Sequence, residues 1–91
     1  GQIPEDTSKG PLEQTREVLA AIDSVLAKLG TDKSRLLSAT VYLSNIGNFA
    51  AMNEAWDAWV SPGNPPARAT VEARLASPDI LVEIVVTAAV D

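Results

Sequence analysis

Apolar residues recur along this chain with two different periods, one typical of helices and one typical of strands. Between Pro11 and Lys28 they return every three or four positions, which predicts an amphipathic helix. Pro11 suits the first helical position, and Gly30 suits the residue that follows a helix end. The predicted core face of this helix contains Val18, Ile22, Val25 and Leu29, with Leu19 and Leu26 beside them.

Three later segments alternate with a period of two, which is the pattern of a strand that buries one face. They run from 35 to 44, from 67 to 76 and from 80 to 90. Between the first two, a second helix is predicted after Asn48, its expected cap, with Phe49, Met52, Trp56 and Trp59 at helical spacings. Only Ser77-Pro78-Asp79 separates the last two strands, so we expect an antiparallel hairpin there.

The predicted order of helix, strand, helix, strand, strand favours an α+β fold. Its small, mainly antiparallel sheet would be covered on one face by the two helices. The core face of the first strand is predicted to hold Leu37, Ala39, Val41 and Leu43, and that of the second Ala67, Ala69, Val71, Ala73 and Leu75.

The last strand is apolar on both of its faces. One face holds Val82, Ile84, Val86, Ala88 and Val90, and the other holds Leu81, Val85 and Ala89, interrupted by Glu83 and Thr87. A sheet face open to water is normally more polar than this. We therefore expect another copy of the chain to cover it.

Composition limits the chemistry available to this chain. Its 91 residues, 46% of them apolar, fit one globular domain spanning residues 1–91. Cysteine and histidine are both absent, which excludes thiolate or histidine catalysis and the usual transition-metal sites. We expect no metal and no cofactor, and the absence of cysteine favours a reducing, cytoplasmic location.

The charge of the chain also restricts its partners. A net charge of −5 opposes phosphate binding, so we expect no nucleic-acid partner. No apolar run is long enough for a membrane span, so we expect no membrane partner.

Two charged residues lie in otherwise apolar strands. Arg68 follows Pro65-Pro66, and its planar guanidinium could hold both oxygens of a small carboxylate. It could instead be solvated or paired with Glu72. Glu83 lies among β-branched residues, where a carboxylate is costly unless it is paired or bonded. It could position or deprotonate a water or stabilise a protonated nitrogen, or it could be satisfied by backbone amides or by Arg74 across the hairpin.

The segment from Pro65 to Val90 resembles the signature of the Rid family (RidA/YjgF, the reactive-intermediate deaminases). That signature has Pro-Ala-Arg-x-x-Val, a short link, and then Val-Glu-Ile. Upstream, Gly1-Gln2-Ile3-Pro4, the segment 38–43 and the segment 49–53 fit the same family in the same order. The resemblance covers nearly the whole chain.

The resemblance implies a fold like chorismate mutase of the bacterial trimeric type. It also implies a homotrimer with ligand clefts between the subunits. Family members usually have about two further strands before the Gly-Gln-Ile-Pro segment, and this chain starts at Gly1, so those N-terminal strands are expected to be missing here. The sheet would then have an unpaired edge.

The resemblance also implies roles for individual residues. Arg68 matches the substrate-binding arginine, and Glu83, as the catalytic acid–base group, would orient or deprotonate the attacking water. Asn53 matches a position near the cleft, although from its own pattern it is an ordinary polar helix residue. Gly1 matches a glycine whose backbone approaches the ligand. Thr70 stands where many members have cysteine, and its hydroxyl could still donate to a ligand.

By the same resemblance, the expected function is hydrolysis of reactive enamines or imines of the 2-iminopropanoate and 2-iminobutanoate type. The products would be a 2-oxo acid and ammonia. Arg68 and Glu83 are expected to converge on the small carboxylate substrate, at a seam between chain copies. The alternatives are a non-catalytic trimer that binds a small carboxylate or acts in regulation, and, against the charge, an endoribonuclease.

Overall fold

The computed structural model describes residues 1–89 as two helices and three strands. The helices are α1 (Pro11–Lys28) and α2 (Phe49–Trp59), and the strands are β1 (Leu36–Leu43), β2 (Ala67–Glu72) and β3 (Val82–Ala88). This element order and the α+β class match the prediction. The predicted end of the last strand at Val90 lies outside the described residues.

The sheet is mixed, with strand order β2-β1-β3. β1 pairs with β2 in parallel and with β3 in antiparallel fashion. The predicted hairpin between the last two strands is therefore wrong. Residues 73–81 form a connection that crosses from one edge of β1 to the other, starting where the Ala73 amide donates to the Leu43 carbonyl at 2.9 Å. The parallel pair is possible because α2 returns the chain to the start of the sheet.

Both helices pack on the same face of the sheet and enclose one core. Its buried members come from both helices and from β1 and β3, but not from β2. They include Val18, Leu19, Ile22, Val41, Leu43, Met52, Trp56, Val82 and Ile84. Val25 and Leu29, predicted in the core, lie at its margin and remain 39% and 57% exposed. Leu37 is also exposed, because a shift of register between Leu36 and Ser38 turns Leu36 inward in its place.

The alternation predicted for β2 is present, but the faces are reversed. Arg68 and Thr70 are half-buried beneath the helices, whereas Ala67, Ala69 and Val71 are exposed on the open face. The parallel register explains this, because it places Arg68 beside Ala39 and Thr70 beside Val41, two core residues. Laterally paired residues point to the same side of a sheet.

The cap of α2 differs in detail from the prediction. Asn48 occupies the N-cap position of α2 but makes no side-chain capping bond, while Asn45 caps the preceding turn by accepting from the Gly47 amide.

Within residues 1–89, neither helix combines the length and apolar character that a bilayer crossing requires.

Candidate functional site

Arg68 belongs to β2, and its side chain contacts one side of α2. Its Nη1 donates to Asn53 Oδ1 at 2.7 Å, and its Cζ lies 5.6 Å from the Phe49 ring centre and 5.3 Å from that of Trp56. Phe49 and Trp56 are seven residues apart, which is about 10 Å along a helix, so the guanidinium lies between their rings. We call Phe49, Asn53 and Trp56 the α2 cradle.

The positive charge of Arg68 has no acidic partner within residues 1–89. The ion pair found in this part of the chain joins Arg16 to Glu13 on α1. Glu72, the alternative partner predicted for Arg68, instead accepts from the Ile46 amide at 2.9 Å. A half-buried guanidinium held by a neutral amide and two aromatic rings therefore keeps its capacity to bind an anion.

Thr70 lies two residues after Arg68 on the same side of β2. Its Oγ1 is buried and has no hydrogen-bond partner within the described residues. A buried hydroxyl without a partner costs free energy, on the order of 1–3 kcal/mol, unless a ligand or water satisfies it. Thr70 thus adds an unused donor and acceptor beside the cation.

Glu83 lies on β3 beside the Gly1–Gln2 segment. Gln2 forms a two-bond bridge with Ile84, with distances of 2.9 and 3.0 Å, which holds Gly1 against the Glu83 side chain. A Cβ atom added at Gly1 would collide with the Glu83 carboxylate. Any larger residue at position 1 would therefore require the Glu83 carboxylate, the flexible end of its side chain, to shift. Gly1 lies beside Glu83, and its role in the site stays a prediction.

The two half-sites, Arg68–Asn53–Thr70 and Gly1–Glu83, lie on opposite faces of the sheet in one chain. Arg68 pairs with Ala39, which faces the helices, whereas Glu83 pairs with Tyr42, which faces the open side. One chain therefore does not bring Arg68 and Glu83 together, and their convergence at a seam between copies stays a prediction. The predicted Arg74 partner for Glu83 is absent for a related reason, since β2 and β3 do not pair.

Two of the cavities formed by residues 1–89 bear on the candidate residues, and neither includes Arg68. One, of about 800 Å³, is lined by Ser44 and residues 72–78. The other, of about 210 Å³, lies between α1 and β3 and includes Gly1 among mostly apolar side chains. Within residues 1–89, no group of three or more acidic side chains is close enough together to hold a metal ion.

Sequence reasoning missed Phe49 and Trp56 as members of the site. It gave Trp56 and Trp59 only helical spacings, and their two rings contact each other, with centres 5.5 Å apart. The signal that could have found the cradle is the spacing of Phe49, Asn53 and Trp56, which places all three on one side of a helix.

Comparison with known proteins identifies the family. The model of the family described as endoribonuclease L-PSP matches residues 1–90. A RutC family protein from Haemophilus ducreyi is 57% identical over 91 residues, covering 100% of this chain and 78% of that protein. The RutC family protein YoaB of Escherichia coli K12 is 50% identical over 88 residues, covering 97% and 77%.

Solved structures agree with these relatives. A YjgF family protein from Neisseria meningitidis is 50% identical with a TM-score of 0.96, over 100% of this chain and 76% of that one. A Rid family protein of unknown function from Yersinia pestis is 37% identical with a TM-score of 0.83, over 89% and 64%. The resemblance found in the sequence is thereby confirmed, and the chain belongs to the RutC/YjgF/Rid family, whose model carries the description endoribonuclease L-PSP.

Proposed function

We propose that this protein hydrolyses small 2-imino acids or their enamine tautomers to 2-oxo acids and ammonia. The observation that carries the proposal is the Arg68 guanidinium, which is half-buried between two aromatic rings and lacks an acidic partner within residues 1–89. Such a cation favours a small ligand with one carboxylate, since both carboxylate oxygens can bind its planar edge. The unused Thr70 hydroxyl adds a polar contact at the same place.

The second half-site would come from another copy of the chain. The open sheet face carries exposed apolar residues, namely Ala67, Ala69, Val71 and Val85, which favour burial against a second copy. Packing of this face of one copy against the β2 edge of the next would allow Glu83 of the first to approach Arg68 of the second. We propose a homotrimer of this kind, with the substrate bound between subunits.

The proposed chemistry needs only a positioned water and one acid–base group. With the substrate carboxylate on Arg68, water attacks the imine carbon while Glu83 accepts a water proton and the C=N π pair moves to nitrogen. Glu83 returns this proton to nitrogen, which gives a carbinolamine. The carbinolamine hydroxyl proton then passes to the amine through the same carboxylate as the C–N bond breaks, which leaves a 2-oxo acid and ammonia.

The test is ammonia release from 2-iminopropanoate generated enzymatically in the assay. The wild-type protein is expected to accelerate release over the protein-free rate, and Arg68→Ala to lose about 100-fold or more of the added rate, because the clamp on the substrate is lost. Arg74→Ala removes an equal charge from an exposed position on the connection that follows β2 and is expected to retain activity. Equal rates for wild type and the protein-free reaction would contradict the proposal.

A second candidate is a protein that binds a small carboxylate without turning it over. The position of Arg68 and Glu83 on opposite faces of one chain favours it, since a single chain offers a clamp without an acid–base group. Saturable binding of a 2-oxo acid at Arg68, together with no acceleration of ammonia release, would support this candidate. We expect no RNA cleavage in the same preparations, because a net charge of −5 opposes a polyanionic substrate.

A further inference from the structure

The side-chain amide of Asn53 lies between two groups with opposite hydrogen-bonding capacity. Its Oδ1 accepts from Arg68 Nη1 at 2.7 Å, and its Nδ2 donates to Asp57 Oδ2 at 3.2 Å. A guanidinium can only donate and an ionised carboxylate can only accept. One orientation of the amide therefore satisfies both neighbours, and the flipped orientation satisfies neither.

The spacing of Asn53 and Asp57 in the sequence allows this arrangement within α2. Asn53 and Asp57 are four residues apart, so their side chains are neighbours on one side of the helix. Without Asp57, a flipped Asn53 would turn its NH₂ group towards the NH₂ groups of Arg68. Asp57 thus penalises the orientation in which Arg68 loses its acceptor.

We propose that Asp57 is a positioning residue for Arg68, acting through the Asn53 amide. The identity of the ligand rests on the proposed function, whereas the positioning of the guanidinium does not. The arrangement places a neutral acceptor, the Asn53 amide, against Arg68. The negative charge of Asp57 lies on the far side of this amide. Arg68 is thereby oriented without being neutralised, which leaves its charge for the anionic ligand.

For the removal of Asp57, the proposal predicts a change in anion affinity opposite in sign to the one that simple electrostatics predicts. An exposed acid near an anion site repels the ligand, so its removal should tighten anion binding slightly. If Asp57 positions Arg68, its removal should weaken binding instead. Glu54 provides the matched control, because it is an exposed acid on the same helix that makes no contact with Asn53 or Arg68 among the bonds found in residues 1–89.

The experiment titrates pyruvate, a product-like 2-oxo acid, into the assembled protein and follows binding by calorimetry. Asp57→Ala is expected to weaken binding about 3- to 10-fold, the range for loss of one hydrogen bond. Asp57→Asn keeps an acceptor oxygen and is expected to restore most of the affinity, and Glu54→Ala to leave affinity unchanged or slightly tighter. Equal or tighter binding by Asp57→Ala would overturn the proposal.

A second measurement, which needs no ligand, separates this proposal from the proposed function. Side-chain NMR signals of the Asn53 amide and the Arg68 Nε–H group report the orientation and the restricted rotation of both groups. In Asp57→Ala, both signals are expected to shift and the Arg68 rotation to become faster, with recovery in Asp57→Asn. Unchanged signals would overturn the positioning role. Changed signals in a protein that does not accelerate ammonia release would support the positioning role and contradict the proposed function.

Discussion

The side chain of Gln14 on α1 and the hydroxyl of Thr70 on β2 are both buried polar groups, but they differ in their hydrogen bonding. Gln14 is buried and fully used: its Nε2 donates to the carbonyls of Lys9 and Asp79, and its Oε1 accepts from the Leu81 amide, at 2.9–3.0 Å. The Thr70 hydroxyl is buried without a partner in residues 1–89. The comparison separates a region where polar groups hold the fold from a region where they remain available for a ligand.

The Gln14 region has a clear structural role. Its amide joins α1 to the loop before it and to the connection that leads into β3. The first of these segments follows Gly1 in the chain, and the second leads into the strand that carries Glu83. Near Arg68, by contrast, the α2 cradle orients the charge and leaves it unneutralised.

The largest effect is expected from Gln14→Leu. The substitution leaves the Leu81 amide and the Asp79 carbonyl without their part-buried hydrogen bonds to the side chain, which should lower the free energy of unfolding by about 2–4 kcal/mol. Urea denaturation followed by tryptophan fluorescence measures this change. Glu13→Ala, at the exposed neighbouring position, is the control and should change stability far less. A loss below about 0.5 kcal/mol in Gln14→Leu, the range of ordinary surface substitutions, would contradict the structural role.

The next effect is expected from Asn53→Asp. A carboxylate at this position would pair with Arg68, neutralise it and repel an anionic ligand, so pyruvate affinity should fall about 10-fold or more. Calorimetric titration measures the affinity. Asn64→Asp adds the same charge in an exposed loop and should leave the affinity nearly unchanged. Equal losses in both variants would mean that net charge, and not the contact with Arg68, controls binding.

A matched pair of threonine substitutions compares the two regions directly. Thr15 is buried on α1, where its Oγ1 donates to the Pro11 carbonyl at 2.7 Å, whereas the Thr70 hydroxyl has no partner in residues 1–89. Thr15→Val should lower the free energy of unfolding by about 0.5–1.5 kcal/mol. Thr70→Val should leave it unchanged or raise it, and should weaken pyruvate binding. Equal destabilisation by the two substitutions would contradict the comparison.

The smallest effect concerns Asp79, on the connection held by Gln14. The hydroxyl of Ser77 is the main cause of a lowered pKa at Asp79, followed by the hydroxyl of Thr7 and the backbone amide of Asp79. Because the folded pKa is lowered, the contribution to stability is present above the unfolded pKa and is lost as pH falls through the folded pKa.

Ser77→Ala should therefore raise the pKa of Asp79 towards its ordinary value and reduce the loss of stability on acidification. Carboxyl ¹³C NMR titration measures the pKa of each aspartate. Asp32 is the internal control, because its pKa is lowered by a different residue, Ser34. An unchanged Asp79 titration would show that Ser77 is not the main cause.

Much of the fold was predictable from periodicity alone. The pattern gave α1 with its observed bounds, the element order and the α+β class. A period of two, however, specifies alternation and not which neighbour a strand pairs with or which face is inward. The face of β2 is decided by its parallel register with β1 and by Asn53, which accepts from Arg68.

The site was predictable only in part, for a similar reason. Glu83 stands out because charge is costly in an apolar strand, and Arg68 because its planar guanidinium suits a small carboxylate. Their placement on opposite sheet faces depends on the register of β2 and β3 against β1, which no local signal contains. The Gln14 amide was missed because all its partners are backbone groups, which every residue carries.

The central claim is that Arg68 of one copy and Glu83 of another form one site, and mixing of inactive chains tests it most directly. Arg68→Ala and Glu83→Gln chains are each expected to be inactive in ammonia release. When they are unfolded together and refolded in equal amounts, about one quarter of the sites between copies should contain both native residues, so activity should return. Mixed assemblies that form but stay inactive would contradict a site shared between copies.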